Sequence, residues 1–375
     1  MQIQTWKTNL PRVTPYYAVK SNPDPYLLQT IGHAGFGFDC ASAREISEVR
    51  NLKETYPIIY ANPCKSINDI INAEHNGIKT TVVDSHEEVD KLVETSWKGD
   101  SLIRIRVEDS ESMVPFSKKF GVSLTELECL SSYSKLKGQC ISGISFHVGS
   151  GSGNSQQFTK AIRNSNLAFS ILEKDGHFPT IMDIGGGFTN SSFILDSKHI
   201  NSSRGFISTK IKMIAEPGRF ISESSHDLFV RVIGKKAMTN GKTGYRYTID
   251  ESLYGQFSCI PFDCAKPRWI RIREDGEEVR RSIPGILYGR TCDGVDMIAA
   301  SPLMEELMEG DWLWFPNMGA YTSVTSSEFN GFPKPPVYTL EDHMPFQLPS
   351  IHGFQAKDWP QSIQYVSPVK TPILD

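Results

Sequence analysis

Short apolar runs return at intervals up to about residue 220, and most close on a polar or charged side chain. They predict strands at YYAVK (16–20), FGFDCA (36–41), IIYANP (58–63), TTVVDS (80–85), LIRIRV (102–107), GISFHV (143–148), IMDIGG (181–186) and KMIAEP (212–217). Most of the gaps between them are long enough for a helix. SAREISEVRNL and SHEEVDKLVET carry apolar residues at helical spacing, and each opens on serine, a favoured N-cap. Eight strands alternating with helical segments predict a parallel β/α architecture, and eight is the number that closes a TIM (β/α)8 barrel. One gap fits poorly. TNSSFILDSKHINSSRGFISTKI, between Phe188 and Lys212, is polar and weakly periodic where a helix is due.

Beyond about residue 225 the pattern changes. LFVRVIGKKA, YRYTID, RWIRIRE, PGILYG and DWLWFPNMG read as strands separated by turns, with little helical periodicity. The expected organisation is a barrel over 1–224, then a mainly antiparallel β-domain over 225–340. The tail, 341–375, is rich in Pro, Gln and Ser and is expected to be loosely ordered.

Composition narrows the classes. A chain of 375 residues suits two domains. Its 39 basic and 43 acidic residues leave a net charge of −4 with no long basic run, which gives no support for nucleic-acid binding. No stretch reaches the roughly 18 apolar residues of a membrane span, and MQIQTWKTNL lacks the apolar core of a signal peptide. Seven cysteines, irregularly spaced, do not read as a disulfide framework, so a reduced cytoplasmic setting is expected. No metal site is expected.

The strand ends hold the candidate chemistry: Lys20, Asp39, Asn62, Asp84, Arg104 with Arg106, His147, Gly185 to Gly187, and Glu216 with Arg219. In a barrel these ends face one mouth. Each alone has a plain structural reading, such as a cap, a satisfied partner or a solvated strand end; their convergence is what matters. MDIGGGF (182–188) reads as a flexible turn or as a loop whose N–H groups approach an anion. AEPGRF (215–220), one strand later, adds Glu216 and Arg219, and a glycine cradle beside an arginine suits a phosphate. HVGSG (147–151) adds an imidazole able to stack on a flat ring. A lysine amine, a phosphate cradle, a stacking histidine and a carboxylate together match pyridoxal 5′-phosphate. Lys20 would hold it as a Schiff base, and Glu216 would keep its ring nitrogen protonated.

A resemblance sharpens this. PYYAVKSN, FGFDCASAREI, YANPCK, SFHVGSG, DIGGGF, AEPGRF, YGRTCDGVD and GAYT occur in the order found in the group IV decarboxylases of basic amino acids. Over about residues 5–335 the chain resembles this ornithine/diaminopimelate decarboxylase family. The resemblance implies an alanine racemase-like barrel followed by a β-domain. It also implies that Lys20 is the Schiff-base lysine, Asp39 its charge partner and His147 the residue stacked on the cofactor ring. Ser150, Gly185, Gly186, Gly187, Arg219 and Tyr321 are similar to the phosphate ligands, and Glu216 to the ring-nitrogen partner. Cys292 matches the cysteine that returns a proton to Cα, and Asp293 the carboxylate that receives the far amine of the substrate. The same resemblance implies a head-to-tail homodimer, with the Cys–Asp pair reaching into the opposite subunit's site.

FDCAKP (262–267) puts Phe262 and Asp263 where the family faces its substrate. Aspartate there resembles the ornithine-preferring members, and glutamate the arginine-preferring viral type. The implied reaction is decarboxylation of L-ornithine to putrescine and carbon dioxide, the first step of polyamine synthesis. Lysine is expected as a minor substrate, because one methylene is worth roughly 1–3 kcal/mol. Diaminopimelate fits less well, and racemisation is disfavoured because alanine racemase lacks the EPGR glutamate. The alternatives are a lysine or arginine decarboxylase, or a silent antizyme-inhibitor-like homologue that binds a regulatory protein. Retention of Lys20, His147, Glu216, Arg219, Cys292 and Asp293 favours catalysis, with an antizyme-like regulator as a candidate partner.

Some positions depart from the family pattern. Ser21 replaces a cysteine, Phe262 a tyrosine, and Asp250-Glu251-Ser252 an Asn-Asp-Gly run. Family members also carry a few dozen residues ahead of the first barrel strand that add a strand to the β-domain. Met1 stands close before Tyr16, so an unpaired sheet edge and a less stable fold are expected.

Overall fold

The computed structural model describes residues 1–339, apart from 152, 240–242 and 275, together with 364–365. The chain divides into two compact units, Met1–Ser222 and Glu223–Asp375. In the first, eight parallel strands close into a barrel in chain order, the last pairing back onto the first. They are β1 (Val13–Ala18), β2 (Gly37–Cys40), β3 (Ile58–Tyr60), β4 (Thr80–Val83), β5 (Asp100–Arg104), β6 (Gly143–Ser145), β7 (Ile181–Asp183) and β8 (Lys212–Ala215). Helix α1 (Gln2–Asn9) precedes β1. The crossovers are α2 (Pro25–His33), α3 (Ala43–Leu52), α4 (Ile67–His75), α5 (His86–Glu94), α6 (Leu124–Leu136), α7 (Gln156–Lys174) and α8 (Phe193–Ser203), and α9 (Arg219–Ser222) follows β8.

Local chemistry sets these boundaries. Ser42, Ser66, Ser85 and Ser123 each cap a helix by accepting the N–H three residues on, and Asp24 does the same for α2. β2 and β3 are buried throughout; β3 reads as the continuous apolar run of a strand covered on both faces, whereas β2 carries the buried Asp39. Ile59, Val82, Leu102 and Ile214 form an apolar cluster of their own within the barrel unit. A second layer seals α1 against the C-terminal crossovers: Trp6 lies edge-on to Phe188 at 5.1 Å, and Phe193 stacks on Phe220 at 3.9 Å.

Two local expectations need correcting. β1 begins at Val13 and ends at Ala18, so Lys20 lies beyond it in the tight turn Val19–Ser21. The weakly periodic segment does form a helix, α8. Its buried face carries Asp196, Ser197 and Ser203 beside Phe193 and Ile200, while Ile194 and Leu195 are exposed. The buried hydroxyls and carboxylate bond locally: Ser192 Oγ donates to Asp196 at 2.6 Å, and Ser203 Oγ donates to the His199 carbonyl at 2.7 Å. Polar residues inside and apolar ones outside erase the periodicity that marks a helix.

The second unit is a seven-stranded sheet in the order β11-β14-β9-β10-β12-β13-β15. Its strands are β9 (Leu228–Ala237), β10 (Tyr245–Ile249), β11 (Ile270–Arg271), β12 (Ser282–Tyr288), β13 (Met297–Glu305), β14 (Trp312–Phe315) and β15 (Gln364–Tyr365), with a short helix α10 (Cys259–Asp263). β10 and β12 run parallel and the other pairs antiparallel, so the sheet is mixed. β13 was not anticipated, because MIAASPLME holds small residues and a proline where strands usually show β-branched ones. Among the described residues the sheet ends at both edges in two-residue strands, and β13 has β15 as a partner at Ala299 and Ala300. Short edges of this kind resist pairing with another chain. The rest of the tail expected to be loosely ordered lies outside the described residues. No helix among the described residues is long and apolar enough to cross a membrane.

Candidate active site

At the barrel mouth, Lys20 Nζ donates to Asp39 Oδ2 at 2.7 Å. Asp39 is 1 % exposed and Lys20 is 43 % exposed, so the turn after β1 holds an ammonium over a buried carboxylate. A buried carboxylate costs several kcal/mol unless it is paired, and this pairing keeps Lys20 at the mouth. The other Asp39 oxygen, Oδ1, has no hydrogen-bond partner.

Glu216 follows β8, and its N–H is fixed by the Gly185 carbonyl at 2.7 Å. Burial, then the neighbouring carboxylates of Asp183 and Asp39, push its carboxyl well above the usual range. Its Oε1 is buried and has no hydrogen-bond partner. Asp183, at the end of β7, accepts from Gly185 N–H and Ser145 Oγ at 2.9 Å each, and burial raises its carboxyl too.

His147 follows β6. Burial, then the Arg104 and Lys20 cations, hold its imidazole well below the ordinary histidine range, so the ring is neutral at pH 7. Its Nδ1 accepts from Gly149 N–H at 3.0 Å, which leaves the proton on Nε2. Phe116 rests edge-on against the ring, 4.8 Å between centroids.

Arg219 Nη2 lies 3.4 Å from Ser150 Oγ, bringing two of the expected phosphate ligands together. Gly185 and Gly187 have φ of +63° and +99°. A Cβ at Gly185 would stand 2.2 Å from the Phe146 carbonyl, and one at Gly187 2.6 Å from the Gly149 carbonyl. Only glycine therefore lets this loop lie flush against the HVGSG loop. That second loop is held in turn by the segment after β5: Val114 and Ser150 exchange backbone bonds at 3.2 and 2.9 Å, and Asp109 accepts from the N–H groups of Phe116 and Ser117 at 2.5 and 2.8 Å.

Other strand-end residues turn out to be fasteners. Asn62 accepts from Cys64 N–H within its own turn, Asp84 accepts from Gly121 N–H, and Arg106 donates to the Gly121 carbonyl. Arg104 differs, since its charge faces Glu216, Asp84, Asp183 and Asp39.

In the second unit, Cys292 and Asp293 sit on the loop between β12 and β13. Cys292 is exposed, and its N–H donates to Asn330 Oδ1 at 3.0 Å. Asp293 accepts the Tyr254 hydroxyl and, at 3.1 Å, Val295 N–H; these bonds hold its carboxyl below the usual range. Buried Asp296 shapes the loop, accepting from Leu253 N–H at 2.8 Å, Thr291 N–H at 3.0 Å and Thr291 Oγ1 at 2.5 Å. Tyr254 stacks on Phe329 at 4.2 Å. Asp263 is buried at the end of α10, whereas Phe262 is exposed. Tyr321 has φ of +55°, a conformation that costs a side-chain-bearing residue energy and clusters at functional loops.

Asp183, Tyr254, Asp296 and Phe116 were not singled out from sequence. Asp183 and Asp296 lie within MDIGGGF and YGRTCDGVD, so those motifs were the signal. Tyr254 and Phe116 had none.

Residues 1–223 match the family described as pyridoxal-dependent decarboxylase, pyridoxal binding domain. The chain is 37 % identical over 363 residues to the ornithine decarboxylase of Panagrellus redivivus, covering 90 % of this chain and 82 % of that one. The chain belongs to the ornithine decarboxylase family. Within that family it is also 37 % identical to antizyme inhibitor 2 of Xenopus laevis, over 88 % of this chain and 76 % of the other. The crystal structure of the Paramecium bursaria Chlorella virus arginine decarboxylase bound to agmatine superposes with a TM-score of 0.84 at 38 % identity, covering 88 % of this chain and 91 % of that one. As an ornithine decarboxylase family member the protein is a pyridoxal phosphate-dependent decarboxylase, and the mouth fits that cofactor. The fit rests on a lysine amine, a glycine cradle that a Cβ would fill, and a buried carboxyl oxygen with no partner.

Proposed function

We propose that the chain converts L-ornithine to putrescine and carbon dioxide, the first step of polyamine synthesis, in the cytoplasm and as a head-to-tail homodimer. The observation that carries this reading is the Lys20–Asp39 pair, set at one mouth with Glu216 and the Ser150–Arg219 contact. Lys20 is the amine that would hold the cofactor covalently. Glu216 would face its ring nitrogen and neutral His147 would stack on its ring. The N–H groups of Gly185, Gly186 and Gly187, with Ser150, Arg219 and Tyr321, would hold its phosphate. When bound, pyridoxal phosphate supplies an electron sink for the pair left at Cα as carbon dioxide departs.

The β-domain loop would supply the remaining groups. Cys292 would return a proton to Cα, and its exposure suits a thiol that serves another subunit. Asp293, held ionised by the Tyr254 hydroxyl, and Asp263 would bind the far ammonium of the substrate, with Phe262 alongside. Two carboxylates favour a side chain ending in a compact cation. Against lysine the margin is one methylene, about 10–200-fold. Aspartate at 263 leaves ornithine ahead of arginine. A catalytically silent, regulator-binding role is the second reading, favoured by the identity to antizyme inhibitor 2. It conflicts with the presence of Lys20, Glu216 and Cys292 together.

Borohydride reduction of the purified chain with pyridoxal phosphate, followed by peptide mapping, tests the site. The cofactor mass is expected on the peptide containing Lys20; a label elsewhere, or none, would refute the assignment. For the dimer, Lys20→Ala and Cys292→Ala proteins, each inactive alone, are expected to regain activity when mixed.

A further inference from the structure

Asp183 has no assigned role in this chemistry, yet it is wholly buried beside the residue proposed to meet the cofactor ring. Strands β6, β7 and β8 run side by side, with Ser145 level with Asp183 and Asp183 level with Ile214. Two residues past Ile214 the chain reaches Glu216. The Gly185 carbonyl fixes the backbone there by accepting the Glu216 N–H at 2.7 Å, and the Glu216 carboxyl lies beside that of Asp183. Two buried carboxyl groups in contact cannot both ionise, so the pair keeps one proton between them. The hydrogen bonds say where it rests. Both Asp183 oxygens already accept a donor, from Gly185 N–H and Ser145 Oγ, and such bonds favour the ionised form. Glu216 Oε1 accepts none. The other charged or titratable groups facing the pair are Asp39 after β2, offset by Lys20, Arg104 on β5 and Tyr16 on β1, with His147 after β6 held neutral.

We propose that Asp183 is a positioning residue for Glu216: as the fixed anion of the pair it keeps a proton on Glu216, and that proton passes to the cofactor's ring nitrogen when the free base enters. The inference rests on the reading that Glu216 faces that nitrogen. In the transfer the Glu216 O–H bond breaks and an N–H bond forms, with no proton drawn from solvent. The two carboxylates are then balanced by the ring cation and Arg104.

Infrared difference spectra of the full chain, freed of pyridoxal phosphate and then reloaded, test this, with circular dichroism to establish that each variant is folded. At a pH above the cofactor's own nitrogen pKa, the unloaded protein is expected to show a protonated carboxyl band that disappears on loading and is absent from Asp183→Asn and Glu216→Gln. Ser145→Ala, which keeps both carboxyls, is expected to retain the band at a shifted frequency. Above the cofactor's own nitrogen pKa, pyridoxal phosphate affinity is expected to stay level with pH in the wild type. In Asp183→Asn it should fall about tenfold per pH unit, as one-proton linkage requires. Absence of the band while Glu216→Gln still loses activity would overturn the proton store alone, as would a level affinity in Asp183→Asn. A Glu216→Gln protein that binds and turns over like the wild type would overturn the Glu216 reading, and this inference with it.

Discussion

Asp39 and Glu216 are buried acids at the barrel mouth, and they are held in opposite ways. Asp39 has a cation at 2.7 Å, whereas Glu216 has a carboxyl neighbour and an oxygen with no partner. His147 gives a pH prediction with a definite sign. Its folded pKa is depressed, so its contribution to stability is present above the unfolded value and is lost as pH falls through and below about 6.5. The melting temperature of the unloaded protein should drop as pH falls through that window, and His147→Gln should flatten the drop. Glu216 works in the opposite direction. Its raised pKa favours the fold at low pH, and that advantage is lost as pH rises, so Glu216→Gln should melt higher than wild type at alkaline pH. Lys65 is a further buried charge, fully enclosed and bonded to Glu88 and to the carbonyls of Asn62 and Val82. Glu88→Ala would strand that ammonium and should cost about 3–5 kcal/mol in a denaturant titration.

At the scale of elements, what could be read from sequence was what burial and capping write locally. Helices α3 and α5 were legible because Ser42 and Ser85 cap them and their apolar residues recur on one face. Helix α8 was hidden because its buried positions hold Asp196, Ser197 and Ser203, and β13 because alanines and Pro302 mute its pattern. The segment after β5 was invisible as a site element, since its role depends on pairing Val114 with Ser150, two positions far apart in the chain. Its pin is Asp109. Asp109→Ala would leave the N–H groups of Phe116 and Ser117 without their acceptor, roughly 1–3 kcal/mol for each that remains dry. The expected result is a lower melting temperature with weaker pyridoxal phosphate binding, because Phe116 and Ser150 would lose their support. Unchanged cofactor affinity would detach this segment from the site.

The whole molecule is two units with separate apolar cores, and the candidate groups are divided between them. Lys20, Asp39, His147, Glu216 and Arg219 belong to the barrel, and Asp263, Cys292, Asp293 and Tyr321 to the sheet. The barrel was legible because eight apolar runs alternate with helix-length gaps, and its mouth because the polar, charged and glycine residues at those strand ends converge in such a fold. The groups that hold those residues in place, Asp183 behind Glu216 and Asp296 and Tyr254 behind Asp293, were not, because their importance lies in contacts that only folding creates. The central claim is that this mouth and this loop decarboxylate a compact diamino acid. Its most direct test is carbon dioxide release by the purified full chain with pyridoxal phosphate, given L-ornithine, L-lysine and L-arginine at equal concentration. Release from ornithine about 10–200-fold above lysine, with little from arginine, is the predicted result. Arginine as the best substrate, or a folded, cofactor-loaded protein silent on all three, would contradict it.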